Sequence, residues 1–145
     1  MWIALRSFLF KKKNISNMNT KLLMIAATLY LGIIGVLLIF LPQEISEYLQ
    51  ISSNMTGSLL LSLLGSLYLG FAMLNWMAKA NIMGGIYSRP VAIGNFMHFG
   101  IGAITLLKLV FGIQYYTEII IPLTIGYTFF AICFAYVFMT NPGKN

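Results

Sequence analysis

LLMIAATLYLGIIGVLLIFL, residues 22–41, runs for twenty positions without a charged side chain and stops at Pro42. A helix needs about 20 apolar residues to cross the ~30 Å hydrocarbon core of a bilayer. This stretch has that length. Three more follow: Met55 to Ala78, Val91 to Leu107 continuing past Lys108 to about Ile113, and Ile119 to Met139, closed by Asn141-Pro142-Gly143. A membrane β-barrel would alternate apolar and polar residues instead. The four runs therefore predict an all-α fold, a polytopic membrane protein built as a bundle of four transmembrane helices.

Composition leads to the same solvent. Of 145 residues, 59% are apolar and only 8% charged, against roughly 25% charged in an ordinary soluble domain. Lipid, not water, suits such a surface, and the length holds one domain. The formal charge of +6 lies beside the apolar runs, which points to orientation in a membrane and away from nucleic acid. Cys133 is the only cysteine, so no disulfide forms within one chain.

Residues 18–145 constitute the predicted transmembrane domain, preceded by a basic segment, 1–17. In that segment an apolar stretch from Trp2 to Phe10 is followed by Lys11-Lys12-Lys13. A secretory signal has the reverse order. Two readings stand: an interfacial anchor on anionic headgroups, or a native start at Met18. The connection from Pro42 to Asn54, with Glu44 and Glu47, reads either as a turn or two of interfacial helix or as a plain loop. Asn54-Met55-Thr56 matches a glycosylation acceptor by chance. Gly84-Gly85 marks a turn, and Pro90 suits the first position of the third helix.

The distribution of basic residues sets orientation. With the N-terminus inside, Arg6, Lys11, Lys12, Lys13, Lys21, Lys79, Arg89 and Lys144 are cytoplasmic and Lys108 alone is outside, eight to one. Both termini are then expected in the cytoplasm.

Helices in lipid associate through close packing and interhelical hydrogen bonds. Ser58, Ser62, Ser66 and Gly70 repeat at every fourth position of the second span, a stripe for packing within the bundle or for a dimer seam. Polar groups inside spans suggest function when they face the interior. At ~1.5 Å rise per residue, Asn75 and Asn95 fall at nearly the same depth, and Asn95, His98 and Gly102 share a face. Asn75, Asn95 and His98 are thus expected to cluster, with Arg89 contributing from the loop and Tyr30, Tyr68 and Tyr136 from the spans. Such a site suits a polar headgroup, a quinone-like carbonyl or a proton in transit; the alternative is interhelical bonding alone. No metal set, catalytic triad or cofactor motif is legible, and no catalytic residue is assigned.

Four compact spans, Leu67-Tyr68-Leu69-Gly70 in the second and Arg89-Pro90-Val91 through His98 opening the third, resemble small bacterial membrane proteins of the DoxX-like type. The likeness covers most of the chain after Met18 and rests on size and hydropathy. It implies a bacterial inner membrane and, for some members, an accessory role in quinone-linked redox systems; it transfers no active residue. The leading expectation is a non-enzymatic protein that binds a lipid-like or small amphiphilic ligand or serves as an accessory subunit, with membrane lipids and a homo-oligomer or larger membrane complex as partners. The alternatives are a membrane enzyme or quinone-linked redox subunit centred on His98, and an oligomeric channel or small transporter.

Overall fold

In hydrocarbon a backbone amide finds no water, so a single crossing segment must satisfy its own N–H and C=O groups, and the helix does this. The computed structural model describes residues 20–50, 55–79, 88–112 and 117–140. They form α1 (Thr20–Phe40), α2 (Pro42–Tyr48), α3 (Met55–Ala78), α4 (Ser88–Gly112) and α5 (Thr117–Thr140). The four long helices are each long and apolar enough to cross a bilayer. The chain is a multi-pass membrane protein, an all-α bundle. Large apolar side chains face outward, Phe40, Phe111 and Ile132 among them, while alanine, glycine, asparagine and phenylalanine fill the inside.

The first span ends at Phe40, and Pro42 opens α2, so the connection is helical over Pro42–Tyr48. Proline suits that place because its missing N–H is one of the unpaired donors of a first turn. Glu44 lies in the same turn, where the positive end of the helix dipole favours it. Gln50, at φ 49°, turns the chain away in the left-handed region. The third span starts at Ser88, so Pro90 is its third residue and not its first; the first turn has free N–H groups, and the ring breaks no helical bond there. The basic segment 1–17, Asn54, the Gly84-Gly85 turn and the Asn141-Pro142-Gly143 closure lie outside the described residues.

Successive crossings put Lys21, Lys79 and Arg89 at one end of the bundle and Glu44, Glu47, Lys108 and Glu118 at the other. Laterally, the helices form two close pairs, α1 with α3 and α4 with α5. Glycines set the first pair. A Cβ at Gly35 would lie 2.9 Å from the Gly65 carbonyl oxygen, and one at Gly65 would lie 2.9 Å from that of Gly35. Nothing larger than hydrogen fits between these backbones. The Thr28 hydroxyl, 2.8 Å from the Met24 carbonyl and 3.2 Å from that of Ala72, shares its proton between its own helix and α3.

The Ser58–Gly70 stripe takes a different course from the interface. Ser58 and Ser62 are half-buried, whereas Ser66 and Gly70 are exposed, and a Cβ at Gly70 would meet nothing within 4 Å. The buried face of α3 is instead Gly57, Gly65, Ala72, Asn75 and Ala78. At 3.6 residues per turn, a line of every fourth residue drifts about 40° per step, which carries it outward by Ser66.

Candidate functional site

The two pairs touch each other less closely than their members do, and side chains make the links. Two groups of polar residues sit there. The first is Asn75 of α3 with Asn95 of α4, both almost wholly buried at 0% and 1% exposure. Asn75 Nδ2 donates to Asn95 Oδ1 at 2.8 Å, and Asn95 Nδ2 donates to Asn75 Oδ1 at 2.6 Å. Asn95 Nδ2 also donates to the Val91 carbonyl at 2.8 Å. The two amides pair reciprocally and bind the pairs together near the basic end.

The second group lies one turn deeper on α4. His98 Nε2 is 3.2 Å from the Tyr127 hydroxyl, which is 2.6 Å from the Tyr68 hydroxyl. This chain joins α4, α5 and α3. Each hydroxyl has one proton to give, so the chain has two consistent directions. With Nε2 unprotonated, Tyr68 donates to Tyr127 and Tyr127 donates to His98. With Nε2 protonated, His98 donates to Tyr127 and Tyr127 donates to Tyr68. In the first state Tyr68 offers lone pairs at the end of the chain; in the second its own O–H is free to donate. Switching the imidazole tautomer therefore exchanges an acceptor for a donor at Tyr68.

Aromatic rings hold this chain. Phe71 stacks on the His98 imidazole with centroids 4.7 Å apart, and Tyr68 meets the imidazole edge-on at 5.4 Å. Phe99, fully buried, stacks with Phe130 and Phe134 at 4.9 and 5.7 Å. Glycine makes room for two of the phenols. A Cβ at Gly102 would collide with the Tyr127 ring, and one at Gly126 would lie 2.5 Å from the Tyr30 hydroxyl oxygen. Tyr30 donates to the Leu123 carbonyl at 3.3 Å, which links α1 to α5. Phe71 has a second neighbour: with Leu63, Ser66, Leu67, Gly70 and Leu74 it lines an open groove of about 480 Å³ on the flank of α3. One ring thus separates the imidazole from that groove.

Of the residues expected from sequence to cluster, Asn75 and Asn95 meet directly, and His98, Tyr68 and Tyr30 belong to the neighbouring aromatic group. Arg89 is exposed in the first turn of α4. Tyr136 is half-buried, nine residues along α5 from Tyr127. Tyr127, Phe71 and Phe99 were not singled out by the sequence. Gly102 carried the signal, since a glycine sharing a face with Asn95 and His98 makes room for something large. Among the described residues, no three His, Cys, Asp or Glu side chains gather as a metal set. No protein-family model matches the chain, and neither a curated protein nor a solved structure gives a significant match.

Proposed function

We propose that this membrane protein binds a small amphiphile whose carbonyl or hydroxyl head reaches the Tyr68–Tyr127–His98 chain from the lipid side, past Phe71. The carrying observation is the run of contacts from His98 Nε2 through the Tyr127 hydroxyl to that of Tyr68, whose donor direction follows the imidazole tautomer. A carbonyl head needs a donor and a hydroxyl head needs an acceptor, and Tyr68 supplies either one by a tautomer change at His98. A quinone-like ligand presents both heads in its two redox forms, which fits the implied likeness to DoxX-like proteins of a bacterial inner membrane. The eight-to-one distribution of basic residues supports cytoplasmic termini. The residues provide recognition; no electron carrier or catalytic step is assigned to them.

Native mass spectrometry in gentle detergent, with a short-chain quinone added, tests this. The wild type should retain one ligand per chain, and Tyr127→Phe, which keeps the ring and breaks the chain, should lower retention about tenfold. Equal retention by wild type, Tyr127→Phe and His98→Ala would refute the site. A second reading, an accessory subunit, is supported by the outward face of α3, where Ser66 and Gly70 lie open beside exposed Leu63 and Leu67. A helix of another subunit has room to approach there, and oligomeric state in the same spectra decides it.

A further inference from the structure

On the flank of the α1–α3 pair lies a separate groove of about 700 Å³. Gly32 and Ala72 form its floor, Leu29, Ile33 and Met73 are among its walls, and Trp76 stands at one end. Its polar lining residue Thr28 has its hydroxyl turned onto the Met24 and Ala72 carbonyls. Leu37, also in the lining, is 16 residues beyond Lys21, or about 24 Å along α1 at ~1.5 Å per residue. Half of a ~30 Å hydrocarbon core is about 15 Å. A hydrocarbon chain hanging from the lysine end therefore has groove beside it down to the middle of the bilayer.

Of the described cations at that end, two belong to the groove's own helices. The Lys79 ammonium lies over the Trp76 ring, and Lys21 is in the first turn of α1. Desolvation, and then the charge of Lys21, hold the Lys79 amine below the ordinary lysine range. No acidic side chain offsets this. The chain has only three, Glu44, Glu47 and Glu118, and all three sit at the opposite end of the bundle. Among the described residues no anionic side chain supplies a counter-charge at this mouth, so an anion from outside the protein suits it. A free anion satisfies the ammonium groups and leaves the groove, whereas a neutral lipid does the reverse.

We infer that the α1–α3 groove seats one anionic phospholipid, its phosphate between Lys21 and Lys79 and an acyl chain along Gly32 and Ala72. Trp76 then occupies the interfacial depth where indole rings are enriched. The site touches none of Tyr68, His98 or Tyr127 and stands or falls independently of the function proposed above.

Native mass spectrometry of the full chain with phosphatidylglycerol or phosphatidylcholine of matched acyl chains tests the inference. The wild type should retain phosphatidylglycerol at least tenfold over phosphatidylcholine. A juxtamembrane lysine is worth about fivefold in affinity for an anionic surface, so Lys21→Gln with Lys79→Gln should abolish the preference, while the paired arginine substitutions keep it. Gly32→Leu, whose side chain enters the groove, should lower retention of both lipids. Raising the ammonium acetate concentration on the unaltered protein supplies a readout free of folding effects: the preference should shrink, because salt screens exposed charge. Equal retention of the two lipids by wild type, or a preference that survives both charge removal and high salt, would overturn the assignment.

Discussion

Removing either amide of the Asn75–Asn95 pair should cost far more than half of what removing both costs. Two interhelical bonds, at 2.8 and 2.6 Å, join these side chains. In a membrane protein such bonds average about 0.6 kcal/mol and reach about 1.7, so their loss amounts to about 1–3 kcal/mol. Each single change also strands its partner. Asn75→Ala leaves Asn95 Oδ1 unpaired while its Nδ2 keeps the Val91 carbonyl. Asn95→Ala leaves Asn75 without either cross-helix bond, so it should be the worse of the two. An orphaned buried polar group adds about 1–3 kcal/mol. The singles should therefore destabilise by about 2 and 3 kcal/mol. The double variant loses the same two bonds once and strands nothing, which leaves it at about 1–3 kcal/mol, well short of the sum. Unfolding in mixed micelles of mild detergent and dodecyl sulfate, followed by circular dichroism, measures all three. If the double variant equals the sum of the singles within about 0.5 kcal/mol, the usual bound for independent sites, then the reciprocal pair is not what holds α3 to α4.

Gly65→Ala drives a methyl against the Gly35 carbonyl, which cannot rotate away, and should destabilise by about 1–3 kcal/mol; Gly70→Ala, pointing into open space, should stay within about 0.5 kcal/mol in the same unfolding assay. Gly126→Ala should displace the Tyr30 ring and break its bond to Leu123, lowering thermal stability while Tyr30→Phe, which loses only that bond, lowers it by about 1 kcal/mol. Tyr127→Phe should cost about 1 kcal/mol of stability yet remove most ligand retention. Similar loss of both in Tyr127→Phe would mark the chain as structural.

The spans were legible because a charge-free run of bilayer length has few other uses. Depth was legible as well: counting residues from the helix ends put Asn75 level with Asn95, and they bond. The partner of His98 was harder to see. Tyr127 is one of eight tyrosines, and nothing in its local spacing separates it from Tyr136. Only the packing of α4 on α5, through the space left by Gly102, selects it. The small-residue stripe leaves the α1–α3 interface for a geometric reason, since four residues exceed one helical turn and Ser58 and Gly70 end on different faces; its outer end stays open to a second helix. Gly57 and Gly65, eight apart, stay closer to one face and mark the buried side. Lys21 and Lys79 entered the sequence reading only as orientation signals. Their proximity depends on α1 lying along α3, which no span-by-span reading contains.

The two kinds of spacer, glycine within each pair and aromatic rings between pairs, give the bundle unequal stiffness. Backbones in contact at Gly35 and Gly65 admit no change of crossing angle without a clash, so α1 and α3 move together. Across the halves the links run through side chains: the Asn75–Asn95 clasp, the Tyr68–Tyr127 bond and the Tyr30 hydroxyl on the Leu123 carbonyl. Parting the halves therefore breaks hydrogen bonds at three depths, and whatever enters the interior must replace them.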